Sequence, residues 1–278
     1  MMNEHFSPSH RLPHPSATVV AHGAAQASWS EIAEMRKRIP SICMPATPGH
    51  FFKHADEQSV VSVAAIEQAM LRCDLDPRSH AEWGIVAAPR YMGRLAAAAI
   101  VKRFAEAGVS SVAPHVLAQY SLHSVAGAIS VALGIHGPNL GVGGGPLALF
   151  DGLLAALTMF PAGRVPGVWL VLSEWSCEPI PAVSGQVTNE TTCHAVALAL
   201  QWKVAQSGEL VLSLQPPAPN LVHLEQGSPA AARPTVVELA NLLAAENTDS
   251  TCWSAAFPWG GTVEVARPAA ARSLRKAA

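Results

Sequence analysis

The chain of 278 residues is 50% hydrophobic and 14% charged, with a formal net charge of −2 and a mean hydropathy of +0.24. That is apolar material for one large core or two small ones, with too little positive charge for a nucleic-acid or polyanion partner. Five scattered cysteines (Cys43, Cys73, Cys177, Cys193 and Cys252) form no Cys-x-x-Cys pair, which excludes a disulfide framework or zinc knuckle and suits a reducing compartment.

Residues 1–16, rich in Ser, Pro and His, read as a flexible leader without an apolar signal core. No uncharged apolar run reaches the ~18 residues that a membrane span needs, and the expectation is a cytoplasmic protein. A short strand follows in "ATVVAHGAA" from Ala17 to Ala25, then a helix capped by Ser28 or Ser30 and ended by Pro40. The spacing of Val60, Val63, Ile66 or Ala64, Met70 and Leu71 for one face predicts a helix over Ser59 to Cys73, and Trp83 to Ala88 reads as a strand. An alanine-rich helix stops at Gly108, and a loop with a small-residue helix leads to Gly134.

"NLGVG" reads as a very short buried strand, "PLALFDGLLAALTMF" as the next helix, and Gly167 to Ser176 ("GVWLVLSEWS") as the strongest strand. "CHAVALALQWK" and "GELVLSLQ" read as a pair of strands. Strands and helices thus alternate to about residue 200, which predicts an α/β layered fold. After Gln215 come a Pro- and Ala-rich loop, one helix ("TVVELANLLAAE") and a closing strand ("GGTVEVAR"). The expected division is leader 1–16, an α/β domain 17–215 and a shortened C-terminal segment 216–278.

The most informative stretch is Gly141-Val142-Gly143-Gly144-Gly145-Pro146. A dinucleotide loop would place a third glycine where proline stands, and proline removes an N–H that such a site uses. No Gly-Lys-Ser/Thr follows, so a P-loop is excluded. Glycines that turn sharply between a strand and a helix have the shape of a nucleophile elbow, with Pro146 suited to the first helical position. No serine or cysteine stands at the apex, and glycines that only permit close packing are the simpler local explanation.

Other chemistry-bearing residues carry less. His115, His123 and His136 have spacings that match no zinc pattern, and His136 is expected at the surface. Cys193 and His194 are adjacent, so on a strand they face opposite ways and form no dyad. Glu174 follows a strand and reads as a loop carboxylate. Trp169, Trp175, Trp202, Trp253 and Trp259 read as core or interface anchors.

Taken in order, several segments resemble the β-ketoacyl synthase family of thiolase-like fold. "LGIHGPNLGVGGGPLALFDGLLAAL" resembles its Gly-Pro, short strand, cysteine elbow and central helix. "AIEQAMLRCDLDP" and "WGIVAAPRYMG" resemble the preceding helix and strand, and "VSSVAPHVLAQYSLHSVAGAISVALG" the segment that lines the family's dimer contact. "GVWLVLSEWS" and "CHAVALALQ" resemble the following strands, and "FPWGGTVEV" the glycine-rich turn that supplies an oxyanion-hole amide.

The resemblance implies a layered α/β/α fold, essentially the N-terminal half with a shortened C-terminal part. Nine positions on from Gly137, Pro146 occupies the place of the nucleophilic cysteine, so Gly143, Gly144, Gly145 and Pro146 form a degenerate elbow. Without a thiol no acyl thioester forms there, and without an N–H one oxyanion donor is missing. Of the family's two catalytic histidines neither is matched, His223 being the one histidine after Leu200. Trp259, Gly260 and Gly261 are the expected remnant of the oxyanion or pocket turn.

The implied role is a non-catalytic, chain-length-factor-like subunit of fatty-acid or polyketide biosynthesis, the aryl-polyene type included. Its expected partners are an active ketosynthase, an acyl carrier protein or both, met through residues 110–160 in a homo- or heterodimer. Neither cofactor, metal, nucleic acid nor membrane is implied. The alternatives are an acyltransferase or thioesterase with a relocated nucleophile, such as Cys177 or Cys193, and a stand-alone scaffold or binding domain.

Overall fold

The computed structural model describes residues 14–38, 40–44, 47–48, 51–113, 119–159, 165–182, 187, 189–206, 209–217, 234–245 and 252–267. His115, His223 and most of the expected leader lie outside these residues. The described strands are β1 (Ser16–Ser28), β2 (Gly84–Pro89), β3 (Asn139–Gly141), β4 (Val168–Trp175), β5 (Thr192–Gln201), β6 (Leu210–Gln215), β7 (Cys252–Ala256) and β8 (Thr262–Ala266). The helices are α1 (Trp29–Met35), α2 (Glu57–Arg72), α3 (Arg94–Ala107), α4 (His123–Leu133), α5 (Ala148–Met159) and α6 (Val236–Ala244).

All eight strands join one sheet in the order β3-β2-β4-β5-β1-β6-β8-β7. β2 is parallel to both β3 and β4, and every other neighbouring pair is antiparallel. β4 is apolar at almost every position because both of its faces are covered. Its Trp169, Val171 and Trp175 meet α2 and α4 on one side, while Val168, Leu170 and Leu172 meet α5 and α6 on the other. The result is a three-layer α/β/α sandwich of thiolase-like type.

β1 lies inside this sheet and serves both cores. Between Val19 and Ala21 its register against β5 slips by one residue at Val20, a β-bulge. Strict alternation would keep odd-numbered residues on one face. The bulge instead sends Ala17 and Val19 into the α5–α6 core and Ala21 and Ala27 into the α2–α4 core.

α2 comes very close to the sheet. A Cβ on Gly23 would stand 2.3 Å from the Ala65 carbonyl oxygen and 2.5 Å from the Ala69 nitrogen. The facing residues Ala21, Ala195, Ala197 and Ala199 are small as well.

Several expectations need correction. β5 and β6 are not partners, because β1 runs between them and pairs with both. β3 is not buried: it forms the sheet edge, and Leu140 is exposed. The C-terminal segment holds β7 besides the expected helix and closing strand, with Trp253 and Ala255 turned into the core. α1 ends at Met35, ahead of Pro40, and of the two cap candidates it is Ser28 that caps it, in a capping box with Glu31. Leu71, expected on the inner face of α2, is exposed because it falls one residue past Met70, off the buried stripe. The leader gives way before residue 17, for Ser16 is in β1 and the Pro15 carbonyl accepts from the Leu214 N–H.

The contrast between two glycines tests the packing. Gly23→Ala must push α2 away from β1 and is expected to cost about 3 kcal/mol in urea unfolding. Gly145 has nothing within 4 Å of a built Cβ, so Gly145→Ala is expected to stay within about 0.5 kcal/mol of the parent. Equal stabilities for the two variants would refute the close approach.

Candidate functional site

The glycine-rich turn leaves β3 at the C-terminal edge of the parallel strands. The Val142 N–H donates to the Ala87 carbonyl at 2.9 Å, which holds the chain beside β2. Gly143 and Gly144 then take φ of +84° and +85°, in the left-handed region where a side chain is strained. The Gly144 carbonyl accepts from the Tyr91 N–H at 3.3 Å. Pro146 is exposed and Leu147 follows. The first α-helical hydrogen bond of α5 runs from the Asp151 N–H to the Leu147 carbonyl. Pro146 thus stands just ahead of the cap rather than at the first helical position, a shift of about two residues from expectation. The backbone turns as an elbow does, and what it presents at the expected nucleophile position is a pyrrolidine ring.

The second expected turn lies between β7 and β8. The Phe257 N–H donates to the Gly261 carbonyl at 2.7 Å, and the Gly260 N–H to the Phe257 carbonyl at 2.9 Å, with Gly260 at φ +91°. The Trp259 ring lies on Gly261, where a Cβ would come within 2.1 Å of it, and stacks on Phe257 with centroids 4.7 Å apart. Phe257 in turn meets Phe150 of α5 at 4.7 Å. An aromatic chain therefore links the helix behind Pro146 to the turn of Trp259, Gly260 and Gly261.

Sequence reasoning missed the polar network behind these turns. Glu174 is no loop carboxylate: it is the penultimate residue of β4 and only 4% exposed. It accepts from the Val236 N–H at 2.8 Å, at the N-terminus of α6, and pairs with Arg90 at 3.3 Å. A carboxylate at a helix N-terminus is favourably placed against the helix dipole, and here it ties the C-terminal helix to the sheet. The Ser173 hydroxyl donates to Gln58 at 2.9 Å, and the Gln58 amide donates to the Arg90 carbonyl at 3.0 Å. The partners come from four distant parts of the chain. The one signal was a pair of polar residues, Ser173 and Glu174, inside an otherwise apolar strand.

Asp56 caps α2 from a buried position and accepts from the N–H groups of Gln58 and Gly93. Loss of solvent, with repulsion from Glu57, pushes its carboxyl up to about 7 against the opposing pull of the Gln58 N–H, Arg36 and the Gly93 N–H. Glu57 itself pairs with Arg36 at 2.5 Å.

The remaining candidates are apart from these groups. Cys193 is fully buried in the α2–α4 core, and burial, reinforced by Asp56 and Glu57, holds its thiol well above the usual range. That opposes the thiolate a nucleophile needs. His194 is half-buried on the other face of β5, and burial lowers its pKa. Cys177 is exposed beyond β4, and His123 and His136 are exposed. Among the described residues no three His, Cys, Asp or Glu gather as a metal site, and no helix is long and apolar enough to cross a membrane. Trp169, Trp175 and Trp253 are buried anchors, whereas Trp202 and Trp259 are about half-exposed.

Sandwich, elbow and turn define a ketosynthase-like fold. Among solved structures the chain is similar to one chain of the ketosynthase ApeO in complex with its chain length factor ApeC from Xenorhabdus doucetiae. That match has 17% identity and a TM-score of 0.55, and covers 91% of this chain and 99% of that one. A β-ketoacyl synthase from Burkholderia phymatum STM815 matches at 15% identity and TM-score 0.46, over 66% of this chain and 58% of its own. The ketosynthase of module 1 of the bacillaene synthase from Bacillus amyloliquefaciens FZB42 matches at 13% and 0.47, over 73% and 46%. The chain therefore spans only about half of these last two. No family model and no curated protein matches the sequence.

Asp56 gives the site a pH dependence. From about pH 4 to pH 7 the folded protein keeps a proton that the unfolded chain has released, so this group makes stability fall as pH rises through that window. Asp56→Asn keeps a cap acceptor and removes the charge. Relative to the parent, the variant is expected to gain stability between pH 4 and 7 and to hold that gain above. Urea midpoints that run parallel across this range would refute the assignment.

Proposed function

We propose that the chain is a non-catalytic, chain-length-factor-like partner of an active ketosynthase in fatty-acid or polyketide-type biosynthesis. The observation that carries this reading is Pro146, exposed at the elbow apex with neither a thiol nor an N–H. The ketosynthase-like fold supports the pathway class, and in the similar Xenorhabdus doucetiae structure a ketosynthase is in complex with its chain length factor.

Exposed apolar groups on and just before residues 110–160 support the partner role. β3 is a sheet edge whose outer backbone groups pair with no described strand, and Leu140 on it is exposed. Val131 of α4 and Val101 and Phe104 of α3 are exposed as well. α3 has no buried residue at all. An open edge with exposed apolar side chains suits another chain, and it falls on and just before residues 110–160.

Co-expression with the ketosynthases and acyl carrier proteins of the host, followed by affinity capture and size-exclusion chromatography, tests the reading. The expected result is a complex of fixed stoichiometry that Leu140→Asp weakens about tenfold or more, as for loss of an interface anchor. A stable monomer that retains neither partner would end it.

A further inference from the structure

On the sheet face covered by α2, the C-terminal ends of β2 and β4 open into a cleft of about 110 Å³. It adjoins the glycine-rich turn through Tyr91, whose N–H donates to the Gly144 carbonyl. Three carboxyl groups line it: Asp56 and Glu57 at the start of α2, and Glu178 beyond β4. Three aromatic residues complete the walls: Tyr91 after β2, Tyr120 ahead of α4, and Trp175 at the end of β4. Trp175 is held by Trp29, whose ring lies 5.8 Å away.

The partners of these groups differ. Asp56 is engaged by the Gln58 and Gly93 N–H groups, and Glu57 by Arg36. Glu178 is half-buried, and among the described residues no donor meets its carboxylate. Burial raises its pKa, with Arg94 and Arg90 pulling the other way. Tyr120 is raised by burial and then by Glu57 and Asp56, which places its phenol in their field.

The cleft already holds one organic cation, supplied by the chain itself. The Arg94 guanidinium lies 3.6 Å from the Tyr91 ring centre. Arg94 is exposed and opens α3, the helix with no buried residue. Aromatic faces beside carboxylate oxygens are the chemistry that recognises alkylammonium and guanidinium groups. Among the described residues the Glu178 carboxylate takes no hydrogen bond, so an incoming cation can meet it there, whereas an anion meets Glu57 and Glu178 as like charges.

We propose that this cleft binds a small organic cation, a guanidinium or primary-ammonium head group, against the Glu178 carboxylate and the rings of Tyr120 and Trp175. The site stands independently of the ketosynthase-partner role, and either can fail without the other. Its size suits a head group of a few heavy atoms, with any longer chain leaving through the mouth.

The experiment is an NMR titration of the full-length ¹⁵N-labelled protein with methylguanidinium, using neutral N-methylurea as the matched control. Methylguanidinium is expected to give saturable shifts at the Gly93, Leu95 and Ala96 amides and the Trp175 indole, and N-methylurea none that saturate. Glu178→Gln, a conservative change at a part-exposed residue, is expected to weaken binding about tenfold, while Glu209→Gln, just ahead of β6 and outside the cleft, leaves it unchanged. Absence of saturation, equal binding of the neutral control, or undiminished affinity in Glu178→Gln would each overturn the proposal.

Discussion

The close seating of α2 on β1 sets the geometry of the rest. Because Gly23 has no side chain, the Ala65 and Ala69 backbone can lie directly against the strand, and the alanines of β5 extend the same shallow surface. Close-packed interiors transmit such constraints, since a single added methyl has nowhere to go. The position of α2 in turn carries its N-terminus to the end of the parallel strands, where Asp56 and Gln58 meet Gly93, Arg90 and Ser173. The bulge at Val20 is the complementary device: it lets β1 feed the second core over its first few residues and the α2 core beyond.

The C-terminal segment is fastened to this frame at two points. Glu174 receives the first helical N–H of α6, and Phe257 packs on Phe150 of α5. These contacts explain why the short tail extends the existing sheet: its strands continue β6 outward while its helix covers the same face as α5. The elbow and the Trp259 turn are thereby held in fixed relation. The backbone keeps the sharp positive-φ turn at Gly143 and Gly144, and Pro146 leaves that turn without a nucleophile. In this reading the turn is kept for architecture: it launches α5, whose Gly152 lets the helix press on Ala88 and Leu172.

Much of the layering was legible in the residues. β4 is an uninterrupted apolar run, α2 has helical spacing, and Ser28 with Glu31 spells a capping box, all local patterns that do not depend on distant partners. The insertion of β1 between β5 and β6 was not legible, because pairing is a long-range choice that neither strand's own sequence records. β7 escaped for a related reason: five residues with two inward side chains, Trp253 and Ala255, give little periodicity to detect. Glu174 looked like a loop carboxylate because its partner, the Val236 N–H, is a backbone group with no sequence signature. β3 was expected to be buried, yet Leu140 on it is exposed, and Gly141 is small because of its tight approach to the Leu122 backbone.

The central proposal is that the chain forms no covalent acyl-enzyme, at the elbow or elsewhere. Incubation of the purified protein with an acyl-carrier-protein thioester, read by intact-mass spectrometry and peptide mapping, tests it most directly. The account predicts an unmodified mass under conditions where an active ketosynthase is fully acylated. An acyl adduct on Cys177, Cys193 or any other residue, formed at a comparable rate, would contradict it.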